Sequence, residues 1–302
     1  METNNSRQAA WVAMGSLFSF GFSIVSSMIL SRYFDKADYG TYKQVMYVYN
    51  TLLTVFTLGL PKAYSYFLPR VNPQEAKDLI NKITRLFFLL GGVFSILLFL
   101  GASLIAQFLK NPDLEIALRY FSLVPFLMLP TMGLEGILST YKKTKFLAGY
   151  TITTRLFMLC CVALPVMIFN LDYIGAIIGF VIASIFSAFL ALYLKVYPVR
   201  NNIKNRTQTS YKEIFQFSLP LMYASLWGVL MSSADQFFIS RFFGLEVFAD
   251  FSNGSMELPF VGMIVGACST VLSPIFSRMS HEKVNLYEQS YPLWKSVYQK
   301  QH

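Results

Sequence analysis

Charge is absent from several long stretches of this chain. No Asp, Glu, Lys or Arg lies between Arg7 and Arg32, between Arg85 and Lys110, or between Asp172 and Lys195. Each gap exceeds the roughly 20 residues a helix needs to cross about 30 Å of hydrocarbon. Taken in order, the gaps predict eight helices at 9–31, 44–66, 86–109, 120–141, 147–171, 173–194, 214–240 and 258–277. The pattern therefore predicts an all-α, polytopic membrane helical bundle. The first segment reads as a retained helix over Trp11–Leu30 rather than a cleaved leader. Its apolar run is too long, only Arg7 stands against Glu2 before it, and no small-x-small cleavage site follows.

Composition agrees. Of 302 residues 55% are hydrophobic and only 14% charged, too few to cover a soluble domain of this size. Mean hydropathy is +0.48. The net charge of +9 raises nucleic acid as a partner, but its distribution points elsewhere. With the amino terminus inside, eighteen Lys and Arg fall on inner segments and six on outer ones. Short basic loops stay cytoplasmic, so the excess is a topology signal and no nucleic acid is expected. Cys160, Cys161 and Cys268 all fall in apolar segments and read as small hydrophobes rather than a disulfide framework.

The chain resembles itself at an offset of 209. Ser16, Leu17, Ser23, Ser31, Arg32 and Phe34 match Ser225, Leu226, Ser232, Ser240, Arg241 and Phe243. The matches fall at the same depth of helices one and seven, both running inside to outside. Parallel six-helix repeats are a known transporter plan. The expected organisation is a six-helix transmembrane lobe over 1–195, a basic cytoplasmic linker at 196–213, and the first two helices of a second lobe over 214–277. An amphipathic interfacial segment is expected at 278–302.

Three stretches carry a family resemblance. The run SRYFDKADYGTY, residues 31–42, looks like the R-y-l-x-x-x-x-Y-G-x-Y pattern of the polysaccharide flippases. Gly59-Leu60-Pro61, followed by Tyr66 and Leu68-Pro69-Arg70, resembles their second-helix exit. The stretch from Phe217 to Gly244, with Pro220 and Asp235, resembles their seventh helix. Together they are similar to the O-antigen and capsule repeat-unit flippases of the multidrug/oligosaccharidyl-lipid/polysaccharide exporter superfamily. The resemblance implies a multi-pass protein of the bacterial inner membrane that flips undecaprenyl-pyrophosphate-linked oligosaccharide for surface polysaccharide synthesis. It implies no cofactor. Lipid-linked oligosaccharide and membrane lipid are the expected partners, with polysaccharide polymerase and chain-length proteins beside them. Members usually carry more than eight helices, so a shortened chain is expected. A cation-coupled multidrug antiporter, a peptidoglycan-precursor flippase and a membrane enzyme of polysaccharide assembly are the rival readings.

No enzyme constellation is present. The histidines are His281 and His302, and no P-loop, G-x-S-x-G or metal-ligand spacing occurs. Glu135, Arg155 and Asp235 are the ionisable residues within apolar segments, where charge usually faces a bundle interior or a hydrated cavity. Helices four and five are antiparallel, so Glu135 and Arg155 are expected to pair, or else to snorkel separately. Asp235 is expected to meet a coupling cation or Arg32, or to sit as a helix-end carboxylate. Ser16, Ser19, Ser23 and Ser26 form one polar stripe, and Tyr47, Asn50, Thr54 and Thr57 another, each at i, i+3, i+7, i+10. With Ser225 and Ser232 they are candidates for lining a cavity that accepts sugar hydroxyls, close packing through small residues being the alternative. Close packing is also the reading of the Gly175-x-x-x-Gly179 and Gly262-x-x-x-Gly266 spacings. Arg32, Arg155, Arg241 and Lys62 are the candidates for an anionic head group. Pro125, Pro130, Pro165 and Pro220 are candidate bend points.

Overall fold

Hydrocarbon offers a backbone N–H or C=O no partner, so a spanning segment must close its own hydrogen bonds as a helix. The computed structural model describes residues 2–202, 205–255 and 260–281, and all regular structure among them is helical. In chain order the helices are α1 (Glu2–Tyr33), α2 (Lys36–Phe56), α3 (Pro61–Phe67) and α4 (Ala76–Phe108). Then come α5 (Asp113–Phe121), α6 (Leu123–Met128), α7 (Leu134–Thr140) and α8 (Thr144–Phe169). The last four are α9 (Tyr173–Val196), α10 (Tyr211–Phe242), α11 (Leu245–Gly254) and α12 (Phe260–His281). Short 3-10 turns follow α3, α6 and α9. Most of the segment predicted at 278–302 lies outside the described residues.

Seven spans among the described residues are long and apolar enough to cross a membrane, and the chain is a multi-pass membrane protein. The second of the eight predicted helices is the exception. Its region divides into α2 and α3, because Leu58 and Gly59 take positive φ (48° and 69°) and Pro61 starts a new helix. α2 itself carries Lys43, Gln44, Asn50 and four tyrosines, too polar a surface for lipid. The fourth predicted helix is also divided, into α5, α6 and α7. Pro125 and Pro130 each remove a helix N–H, and Gly133 sits at φ 76°.

α1 packs along α8, α8 along α9, and α4 against α5 and α6. Small residues allow the approach: Gly15 lies against Ala148, Gly91 against Pro125, and Gly179 directly on the Cys161 carbonyl. The atoms nearest a Cβ at Gly175 belong to Leu171 of its own chain segment, and among the described residues a Cβ at Gly262 or Gly266 would meet nothing within 4 Å. An aromatic cluster joins α2 to its neighbours. Phe56 stacks on Phe94 of α4 at 4.3 Å, and Tyr49 meets Phe121 of α5 edge-on at 5.2 Å. Leu89, Ile96, Leu100 and Leu104 are exposed along α4, as a lipid-facing surface should be.

The offset seen in the sequence recurs in the helix bounds. Adding 209 to Glu2–Tyr33 gives Tyr211–Phe242, the bounds of α10, and adding it to Lys36 gives Leu245, where α11 starts. Between α9 and α10 the chain is tied to the start of α4. Asn205 bonds to Gln74, the Thr207 N–H donates to Asp78, and Lys82 Nζ donates to the Thr209 carbonyl at 2.6 Å. A capping box of Ser210 and Glu213 then starts α10.

A Cβ at Gly179 would overlap the Cys161 carbonyl oxygen. Gly179→Val is expected to push α8 from α9, cost about 1–3 kcal/mol and lower the melting temperature in detergent. Gly262→Ala, in open space, should not lower it.

Candidate functional site

The site is built on α2. Asp35 caps that helix, its carboxylate accepting the Asp38 N–H at 2.8 Å. The helix therefore begins at Lys36, which carries Lys43 two turns in. Lys43, Met46, Tyr47 and Asn50 then share one face, at i, i+3, i+4 and i+7. On one side of this face is a cavity of about 430 Å³. α1 supplies Ser23, Ser26 and Ser27, and α2 supplies Tyr42, Lys43, Tyr49 and Asn50. α8 supplies Arg155 and Met158, with Met128, Met132 and Phe180 completing the wall.

Two cations line this cavity, Lys43 and Arg155, and no carboxylate does. Lys43 Nζ donates to Ser27 Oγ at 3.3 Å and lies 5.2 Å from the centre of the Tyr39 ring. Arg155 stands near the middle of α8, and among the described residues the one polar contact of its guanidinium is at 3.8 Å, from Nη1 to the Met158 sulfur. A guanidinium has five donors, so that contact leaves most of its hydrogen-bonding capacity unspent. The hydroxyls around it accept and donate, and the methionines are apolar and adaptable. A second space of about 330 Å³ shares Lys43, Met46 and Asn50, and adds Tyr47 and Thr51 with Ser233 and Gln236 of α10.

A third space, about 640 Å³, opens at the amino-terminal end of the bundle between α3, α10 and α12, and includes Lys62 and Arg70. It is larger, but its cations are already engaged. Arg70 donates to the Ser277 carbonyl and hydroxyl and lies 3.6 Å over the Tyr66 ring; Lys62 faces Glu135 at 3.8 Å.

Several sequence expectations are corrected by this arrangement. Glu135 pairs with Lys62 of α3 and not with Arg155, because the break at Leu58–Gly59 turns α3 onto α7. Of the four head-group candidates only Arg155 lines the 430 Å³ cavity. Arg32 is exposed at the end of α1, Lys62 lies in the third space, and Arg241 sits 5.6 Å from the Phe242 ring. Ser23, Ser26, Tyr47 and Asn50 line the first or second space. Ser16, Ser19, Thr54, Thr57 and Ser225 line neither, and Thr57 and Ser225 spend their hydroxyls on Thr54 and Leu221 carbonyls. The Ser232 side chain lies outside the described residues. Asp235 is exposed and accepts its neighbour Gln236 N–H at 2.7 Å; among the described residues it has no ion pair with Arg32. Lys195, one residue past the helix predicted at 173–194, lies in the last turn of α9 and is only 1% exposed. Lys43 was missed because it falls one residue before the helix predicted at 44–66, whereas the Asp35 cap starts α2 at Lys36.

Away from the amino-terminal end, a buried network closes the bundle over this site. Gln44 donates to Ser240 of α10 at 2.8 Å, and Asn111 donates to Gln44 at 2.7 Å and to Thr41 at 3.0 Å. Lys36–Asp250 and Tyr39–Asn253 join α2 to α11 at the rim. The rim is acidic: burial, with Asp35, Asp172 and Asp113 nearby, pushes the Asp38 carboxyl above its ordinary value.

Known structures share this fold. A MOP superfamily transporter from Pyrococcus furiosus, described as having a binding pocket of reverse polarity, matches with a TM-score of 0.72 and 16% identity over 97% of this chain and 68% of its own. A point mutant of the Vibrio cholerae MATE transporter VcmN matches at 0.72 and 15% over 98% and 68%. The MATE multidrug transporter DinF-BH, in complex with a small molecule, matches at 0.77 and 15% over 97% and 69%. The fold is that of the MOP superfamily transporters. A model of the polysaccharide biosynthesis protein family matches residues 6–280, and the chain belongs to that family. A search of curated proteins finds none that matches.

Gln44→Leu would strand buried partners on Asn111 and Ser240, at an expected cost of about 1–3 kcal/mol. Lys36→Ala breaks only an exposed ion pair and should cost under about 1 kcal/mol. Thermal melts of the two variants beside the parent check the contrast.

Proposed function

We propose that this protein moves an anionic, sugar-bearing polyprenyl lipid across the bacterial inner membrane, as an undecaprenyl-pyrophosphate-linked oligosaccharide flippase for surface polysaccharide. The observation that carries the proposal is the cavity wall: Lys43 and Arg155 among hydroxyls, with no carboxylate. A pyrophosphate offers oxygens to a guanidinium fork and an ammonium. Ser23, Ser26, Ser27 and Asn50 suit sugar hydroxyls. Membership of the polysaccharide biosynthesis protein family supports the same substrate class.

The amino terminus is assigned to the cytoplasm on the charge distribution, so the Arg155 cavity lies beneath a periplasmic closure formed by Gln44, Asn111 and Ser240. The opposite closure is formed by α12, which packs on α1, α3 and α7. Ser139 donates to the Thr270 carbonyl there, and Ser277 to that of Tyr66. Alternating access needs one set of contacts to break while the other holds. Both sets are hydrogen bonds between small polar groups, which exchange partners cheaply.

The rival is a multidrug antiporter, a reading favoured by the names of the MATE neighbours. A cationic drug in this cavity would meet two like charges and no counter-ion, which disfavours it by several kcal/mol at low dielectric.

Binding to the purified protein separates the two. A prenyl-pyrophosphate-linked sugar should bind the parent, and Arg155→Gln should weaken it by roughly 10- to 100-fold, the loss of one charge-assisted contact. Arg155→Lys should recover part of it. Tighter binding of a cationic dye than of the lipid-linked sugar, or unchanged sugar binding by a Lys43→Gln/Arg155→Gln double variant, would overturn the proposal.

A further inference from the structure

A second basic site lies outside the transport cavity, in a groove of about 380 Å³ between α4 and α9. Asn81, Thr84, Arg85 and Phe88 present one face of α4, at i, i+3, i+4 and i+7. Leu192, Lys195 and Val196 present the facing strip of α9, at i, i+3 and i+4. Lys195 is the unusual member. It is buried, with the Tyr64 and Phe87 rings at 4.6 and 5.3 Å from its ammonium. Its Nζ donates to the Met132 carbonyl at 2.6 Å and to the Tyr64 hydroxyl at 3.2 Å, and Tyr64 shares a 2.8 Å bond with Thr84.

An ammonium has three donors, and only two of these have a partner among the described residues. None of the ion pairs found there includes Lys195. Bracing α3, the turn at Met132 and α9 needs only two neutral hydrogen bonds, which a side chain without charge would supply. Enclosing a full charge with no counter-charge is costly, and buried intramembrane charges mark sites of function. Arg85, at the groove's rim, is exposed and likewise makes no ion pair or hydrogen bond among the described residues.

Depth identifies the missing anion. Arg85 is the last charge before the uncharged run 86–109, and Lys195 the first after 173–194. Both therefore stand where headgroups meet hydrocarbon, on the same end of the bundle. Above them Leu89 and Tyr193 are exposed, at 64% and 54%, and Phe88, Leu192 and Val196 give the groove apolar walls. Basic pockets between spanning helices at this level hold lipid headgroups.

We infer that the α4–α9 groove binds the phosphate of an anionic membrane phospholipid, with Lys195 and Arg85 as its cationic ligands and Asn81 and Thr84 beside them. The acyl chains lie along Phe88, Leu192 and the exposed side of α4. This lipid is a resident of the protein's outer surface and not the transported substrate, and the site does not depend on what the Arg155 cavity carries.

The test is native mass spectrometry of the full chain released from micelles of mixed phosphatidylglycerol and phosphatidylcholine. The parent should retain phosphatidylglycerol preferentially. Arg85→Gln, an exposed change that leaves the packing intact, should reduce retention about five-fold, the worth of one basic residue at the membrane surface. Arg85→Lys should restore it. Lys195→Met keeps an unbranched stem in the same slot and should lose more; Arg85→Gln carries the test on its own where Lys195→Met does not fold. Equal retention of the two lipids, or no change in Arg85→Gln at an unchanged melting temperature, would overturn the site. So would an equal loss in Arg155→Gln, which would place the lipid in the transport cavity. Displacement of the lipid by millimolar inorganic phosphate would make the groove a site for a soluble anion and overturn its lipid assignment.

Discussion

The architecture depends on hiding α2 from lipid. Lys43, Gln44, Asn50 and four tyrosines give this helix polar groups on most of its faces, and each would be stranded in hydrocarbon. It is therefore enclosed by α1, α4, α5, α9, α10 and α11. The aromatic cluster of Tyr49, Phe56, Phe94 and Phe121 fills its apolar side. Its polar side is left facing Ser23, Ser26 and Ser27 of α1 and Ser233 and Gln236 of α10, and the two spaces there follow from that mismatch. Cavity and fold have one cause, because a helix this polar can be buried only among partners that leave it water or hydroxyls.

Electrostatics then separates the cations by role. Lys62 faces Glu135, Arg119 is held by Glu115 one turn away at 2.6 Å, and Arg70 is spent on Ser277 and the Tyr66 ring. These are structural or solvated charges of small net worth. Arg155 and Lys43 differ in lining a hydroxyl-rich cavity whose wall carries no carboxylate. Among the described residues Arg85 likewise has no acid beside it on the exposed side of α4, with Lys195 buried in the same groove. Lys43 and Arg155 line the 430 Å³ cavity, and Arg85 and Lys195 line the groove between α4 and α9.

Much of this was legible beforehand. The uncharged runs located seven long spans, because the hydrocarbon requirement acts on each segment alone, but set the starts of the spans at Ala76–Phe108 and Asp113–Thr140 ten and seven residues late. The repeat was legible too, since α10 reproduces the bounds of α1 after 209 residues. Arg155 could be singled out as an ionisable residue in an apolar run. Its expected partner was wrong because depth alone matched it to Glu135. The turn at Leu58 and Gly59, which brings Lys62 to Glu135, lies in a distant stretch of the chain. The hydroxyl stripes divide between cavity wall and elsewhere for a related reason. Spacing groups residues on one side of a helix, but Ser16 and Ser19 lie a turn or more from the part of α1 that meets the cavity.

What the amino-acid sequence determined by itself is the set of membrane helices, their repeat and their charge asymmetry, because transfer into lipid is settled segment by segment. What the tertiary structure alone decided is which charges remain without partners. Neutralisation is a contact between segments far apart in the chain, and Lys43, Lys195 and Arg155 acquire their meaning only from the carboxylates that the packing keeps away from them.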